Sequence, residues 1–145
     1  DPAAGTVQFS DKGRPDWRRV PNKRVHFMIE NVARFLDADD DLREAAALAL
    51  GESRQPAAFE LLSARFAKEM LAEHRRALLL AMAMTRLPAA VELLLGTAAD
   101  QDRTTAADAI DALAIYRGDD AVRGKLAAIV AGRPELATAM KKAFH

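Results

Sequence analysis

Two stretches of this chain can be laid over one another without a gap. Arg43-Glu44-Ala45-Ala46-Ala47-Leu48-Ala49-Leu50 matches Arg75-Arg76-Ala77-Leu78-Leu79-Leu80-Ala81-Met82, and Pro56-Ala57-Ala58-Phe59-Glu60-Leu61-Leu62 matches Pro88-Ala89-Ala90-Val91-Glu92-Leu93-Leu94, both at an offset of 32 residues. A weaker third copy, Ala107-Asp108-Ala109-Ile110-Asp111-Ala112-Leu113 followed by Ala121-Val122, fits at a spacing of 30 to 31. Apolar residues recur three and four apart within each copy, which is helical periodicity. A repeat of about this length holding two helices is the signature of a stack, because each hairpin has an apolar face that only its neighbours can bury.

Composition agrees with helix. The 145 residues include 32 Ala and 17 Leu but only 17 Val, Ile and Thr together, and Ala and Leu favour helix where β-branched residues favour strand. Hydrophobic residues make up 50%, and 21 basic side chains balance 21 acidic ones; these values fit one soluble domain of ordinary size. A formal net charge of zero supplies no global field to gather nucleic acid or anionic membrane. No stretch is long and apolar enough to suggest membrane insertion. The absence of cysteine leaves the compartment open, with the cytoplasm placed before the periplasm. The chain opens on Asp1 without Met or an apolar leader, and reads as a processed form or an excised piece of a longer protein.

Along the chain, residues 1–21 hold Pro2, Gly5, Gly13, Pro15 and Pro21 and read as an irregular segment. Residues 22–145 read as the repeat domain. Its short polar joints lie at 37–41, 51–56, 86–88, 100–102, 117–120 and 132–134. The run Ala77 to Met84 is apolar on every side, which predicts a helix flanked by helices, with Leu80 in the core. The last segment, 134–144, predicts a capping helix, with Leu136, Met140 and Phe144 on one face and Glu135, Thr138, Lys141 and Lys142 elsewhere.

The segment 39–51, Asp39-Asp40-Asp41-Leu42-Arg43-Glu44-Ala45-Ala46-Ala47-Leu48-Ala49-Leu50-Gly51, followed by Pro56-Ala57-Ala58-Phe59-Glu60-Leu61-Leu62, resembles the short bacterial HEAT-like repeat, of the type also found in phycobilin lyase families. The resemblance covers roughly residues 22–132. It implies an all-α fold: a right-handed α-α superhelix, a solenoid of about three to four helical hairpins whose inner helices line a concave binding surface. It also suggests an accessory role beside an enzyme, by analogy with the lyases, on the level of the fold alone.

Chemistry finds little support in the residues, and no enzyme activity, cofactor or metal is expected. Asp37, Asp39 and Asp41 alternate like the first ligands of a calcium loop, but Leu42 and Leu48 occupy the places that need Gly and a bidentate Glu; acids capping a helix N-terminus are the better reading. His26, His74 and His145 form no zinc motif. Ser10, Ser53 and Ser63 lack the settings that activate a nucleophile, and the scattered glycines cannot build a phosphate loop. The pairs Glu69/Glu73 and Asp108/Asp111 have the spacing for acid/base work, yet solvated helix faces produce such pairs routinely. Met70, Met82 and Met84 read as core filling.

The expected function is therefore binding: a non-enzymatic module that contacts another protein, or another domain of its parent chain. Arg75, Arg76, Leu79, Ala83 and Arg86 form one helical stripe, and the repeat offset brings Arg43, Glu44, Ala47, Gly51 and Arg54 into line beside it, with Asp108 and Asp111 on the third copy. Charges resist burial between helices, so this stripe predicts a groove that is basic across two repeats and acidic at its far end, with Leu79 as its apolar centre. The alternative binding surface is the basic arm, Lys12, Arg14, Arg18, Arg19, Lys23 and Arg24 around Trp17, whose charges suit phosphate and whose ring could stack on a base.

Overall fold

The computed structural model describes Trp17 and residues 24–145. Among these residues the chain is all α, with eight helices and no strand: α1 (Val25–Ala33), α2 (Asp40–Ser53), α3 (Pro56–Lys68), α4 (Ala72–Met84), α5 (Pro88–Asp100), α6 (Arg103–Ala112), α7 (Asp120–Gly132) and α8 (Ala137–Ala143). Short 3₁₀ turns follow α1 at Arg34–Asp37 and α6 at Leu113–Tyr116, and one precedes α8 at Pro134–Leu136. No helix among the described residues is long and apolar enough to cross a membrane.

Helix starts follow from local chemistry. Asp39, Asp102 and Asp119 hold extended or near-extended backbone, and each side chain accepts a first-turn N–H: from Leu42, from Thr105, and from Ala121 and Val122. Such caps satisfy orphan donors and each stabilises its helix by about 1 kcal/mol. Asp39 thus caps a helix, as expected. Helices α3 and α5 instead begin with Pro56 and Pro88, where the fixed φ suits the first turn and no N–H is missed.

The turns that end α2 and α4 are the same device used twice. Ser53 donates its hydroxyl to the Leu50 carbonyl at 2.6 Å and accepts the Gln55 N–H at 3.3 Å; Thr85 donates to Met82 at 2.7 Å and accepts from Leu87 at 3.4 Å. The residues between, Arg54 (φ 54°) and Arg86 (φ 58°), are the non-glycine residues with left-handed backbone among those described.

The sequence pattern marks no joint between 56 and 86, but the chain breaks at Glu69–Leu71. No Gly or Pro marks this break. The Glu69 carboxylate takes the N–H groups of Met70 (3.1 Å) and Leu71 (3.3 Å), doing with a side chain what a turn residue usually does. Met70 is consequently 86% exposed, which corrects its reading as core filling; Met82 is fully buried.

Packing runs in two sets. Helix α2 packs on α4, α4 on α6 and α6 on α8, while α3, α5 and α7 pack against the helices beside them. Buried positions recur with the sequence offset: Ala58, Ala90 and Val122, then Leu62, Leu94 and Leu126, on the second set. On the first set they are Ala46, Leu78 and Ala109, then Ala47, Leu79 and Ile110, then Leu50, Met82 and Leu113. Gly51 sits where α2 crosses α4: a Cβ there would lie 2.4 Å from the Ala81 carbonyl oxygen. Leu136 and Phe144 are buried at the C-terminal end. Arg123 holds this end by donating to the Phe144 and Arg117 carbonyls at 2.9 and 2.6 Å.

One expectation about the core is overturned. Leu80 is 38% exposed, whereas Leu79 and Met82 on the same helix are fully buried. A helix that is apolar all round still has a face its neighbours leave open.

Candidate functional site

Helices α2, α4 and α6 leave an open hollow of about 470 Å³ between them. Glu44 comes from α2, Glu73, His74, Arg76, Ala77 and Leu80 from α4, and Asp108, Asp111 and Ala112 from α6. Four carboxylates thus face one guanidinium over a floor of Leu80 and two alanines. Residues 73, 77 and 80 lie on one helical face, as do 108, 111 and 112.

One carboxyl in the hollow is disfavoured in its charged form. Burial raises the Asp108 carboxyl above the ordinary carboxylate range; Arg76 and Arg75 act against this, while Asp111 and Asp102 add to it. Like charges crowded into a partly desolvated site disfavour ionisation.

Of the residues expected on the binding stripe, Glu44, Arg76, Asp108 and Asp111 line the hollow. Eight do not, and the physical reasons differ: Ala47, Gly51 and Ala83 are buried between helices, and the other five are placed as follows. Leu79 is fully buried between helices, so it is a core residue and Leu80, one position on, is the exposed apolar contact. Arg43 is held inside the fold: its guanidinium donates to His74 Nδ1 at 2.5 Å and to the Ala38 carbonyl at 3.1 Å. Arg75 lies 5.2 Å over the Phe66 ring. Arg54 and Arg86 leave the helices in the turns that end α2 and α4, and Arg86 lies 5.6 Å over Tyr116. With these arginines elsewhere the hollow is acidic, and the basic groove expected across two repeats is not formed. Glu73, His74, Ala77, Leu80 and Ala112 are the lining residues the sequence reading missed. The spacing of Glu73, Ala77 and Leu80 on one helical face was the available signal.

Beside the hollow, on its α3 side, a second polar cluster is spent on structure. Arg65 pairs with Asp37 and lies 3.7 Å from Glu69, whose other near neighbours are His74 at 3.6 Å and Arg43 at 3.9 Å. The Glu69 side chain is 9% exposed. Burial alone would raise its carboxyl, but the N–H groups of Leu71 and Met70, with His74 and Arg65, hold it below the ordinary range. The cluster joins α2, α3 and α4.

The basic arm falls largely outside this description: Lys12, Arg14, Arg18, Arg19 and Lys23 lie outside the described residues. Arg24 is half-buried just before α1. Trp17 donates its indole N–H to the Ala49 carbonyl at 2.7 Å and packs against the core. That corrects its reading as a stacking platform: the ring braces α2. Among the described residues no three His, Asp or Glu side chains converge to hold a metal ion. No known family, curated protein or solved structure matches the chain.

Proposed function

We propose that the chain is a non-enzymatic interaction module, a stack of HEAT-like helical hairpins wound as a right-handed superhelix, whose α2/α4/α6 hollow receives a cationic segment of another protein or of another domain of its parent. Support for the stack comes from the succession of α2, α4, α6 and α8 and from the repeat of buried positions and turns at an offset of 31 to 32. The single observation behind the binding site is the hollow's wall of four carboxylates against one guanidinium, over exposed Leu80.

The physical reason is that the hollow is costly to the protein alone. Asp108 is partly desolvated there, with the Asp111 carboxylate beside it adding to the penalty on its charge. Lysine or arginine side chains of a partner relieve that penalty with charge-assisted hydrogen bonds while their aliphatic stems lie on Leu80 and the alanines. Arg76 beside them discriminates against segments that are cationic at every position.

Capture from a lysate of the source organism tests this reading. The triple variant Glu73→Gln/Asp108→Asn/Asp111→Asn keeps the wild-type helical signal and loses the proteins retained by wild type, and those proteins elute from wild type with added salt. Undiminished capture by the folded triple variant would move the site elsewhere.

A further inference from the structure

The far ends of α2 and α4 carry a surface of opposite sign. Arg54 ends α2, Arg86 ends α4, and Arg117 follows the Leu113–Tyr116 turn that ends α6; all three are exposed. They recur at offsets of 32 and 31, one per helix of the packed series. Among the described residues no carboxylate forms an ion pair with any of them. Arg86 lies over the Tyr116 ring. Burial raises the Tyr116 phenol above its ordinary range, with Arg86 and Arg54 acting against this and Asp119 with it. Both guanidinium groups therefore bear on the same tyrosine, whose hydroxyl is buried without a hydrogen-bond partner.

Backbone conformation adds an independent argument. The residue that ends a helix in left-handed geometry is usually Gly, because a Cβ is disfavoured there. At both turns this chain uses Arg. The backbone gains nothing from the choice, so what the position gains is the side chain.

We infer that Arg54, Arg86 and Arg117 form a docking edge for an acidic, extended peptide segment. Neighbouring helices stand about 8–10 Å apart, and a segment extended as polyproline II, with three residues per turn, advances about 3.1 Å per residue and keeps every third side chain on one face. A carboxylate at every third position therefore meets successive arginines, each able to grip it bidentately. Nucleic acid fits less well: binding through phosphates draws on about 6–10 contacts, the chain has zero formal net charge, and the Tyr116 face that could stack on a base is covered by Arg86. The edge is separate from the acidic hollow. Arg54 and Arg86 are each ten residues beyond the hollow residues Glu44 and Arg76, about 15 Å along the helices.

The test is fluorescence anisotropy with a labelled decapeptide bearing Glu at every third position, titrated with the full chain at low salt. Wild type binds, and added salt weakens the complex. Arg54→Gly/Arg86→Gly weakens it by about tenfold or more, while its melting temperature stays level or rises because Gly suits both turns. Lysine at all three positions keeps the charge but not the fork, and weakens binding several-fold, less than the glycine variant. Absence of binding to wild type would overturn the inference. So would unchanged binding by the glycine variant, or tighter binding of a single-stranded oligonucleotide of equal length.

Discussion

Replacing Gly51 with alanine gives the most direct test of the packing, because two effects of opposite sign compete and the structure says which wins. In an ordinary helix interior Gly→Ala stabilises by about 0.5–1 kcal/mol, through reduced backbone entropy in the unfolded chain and better helix propensity. At Gly51 the added Cβ lies 2.4 Å from the Ala81 carbonyl oxygen and 3.0 Å from Ala81 Cα. Both are main-chain atoms of α4, so no rotamer relieves the overlap, and the two helices must separate by roughly 1 Å at their crossing to restore ordinary contact. Overpacking of this kind costs about 1–3 kcal/mol or more. The net expectation is destabilisation of about 1–2 kcal/mol, a fall in melting temperature of about 2–8 °C for a chain of this size. Gly96 in α5 and Gly124 in α7 are the controls, since a Cβ at either meets nothing within 4 Å; each alanine there stabilises by about 0.5–1 kcal/mol. Urea and thermal unfolding of the three variants decide the matter. A Gly51→Ala protein as stable as wild type would mean that α2 and α4 do not approach this closely.

The core phase is checked on α4: Leu79→Ala costs about 2–5 kcal/mol as a buried leucine does, whereas Leu80→Ala costs about 1 kcal/mol or less, and equal losses would refute the assignment of faces. Arg133 donates from one nitrogen to the Ala98, Gln101 and Ala99 carbonyls at 2.9, 2.7 and 3.4 Å, closing the C-terminus of α5. Arg133→Ala costs about 1–3 kcal/mol in urea unfolding, and no measurable loss would show that these carbonyls are content with solvent. Glu69 has a depressed pKa in the fold, so its stabilisation is present above the ordinary carboxylate range and is lost as pH falls through the folded value. Unfolding midpoints between pH 7 and pH 3 therefore fall more steeply for wild type than for Glu69→Gln, and parallel curves would refute the linkage. Asp108 has a raised pKa, so the stability tied to it is present at low pH and is lost as pH rises through the folded value; Asp108→Asn, neutral throughout, melts higher than wild type at pH 7. A lower melting temperature would show that the Asp108 charge is compensated within the fold.

Much of the helix pattern was legible, for a stated reason. Burial recurs at the same offset as the letters, so the segments that match in sequence are the ones that pack alike. The break at Glu69–Leu71 was hidden because a carboxylate makes it, although the repeat offset carries the joint at 100–102 back to 68–70. The phase of α4 was misjudged by one residue. Eight apolar residues in succession, Ala77 to Met84, give no amphipathic contrast, so periodicity could not say whether Leu79 or Leu80 faced inward. Arg43 and Arg75 were misplaced for another reason: both were taken as too costly to bury, but each finds a partner inside the fold, His74 for one and the Phe66 ring for the other.

Aligning the helices by their N-caps, Asp39, Leu71 and Asp102, separates what repeats from what does not. Positions 46/78/109, 47/79/110 and 50/82/113 are apolar and buried in all three copies. Positions 45/77/108 read Ala, Ala, Asp, and 48/80/111 read Leu, Leu, Asp; these are the positions that turn toward the hollow on α4 and α6. Packing sets the first group, because a charge there would be stranded between helices. It does not set the second, since the first two copies fill the same places with Ala and Leu. Helix propensity also argues against aspartate in a helix interior, where Ala is the best residue and Asp among the poorer. Asp108 and Asp111 are thus disfavoured locally, and Asp108 electrostatically as well, at positions where the repeat itself offers an apolar alternative. The departures of α6 from the repeat thus fall on the face that opens to the hollow, and the proposed cationic partner gives them a use that packing does not.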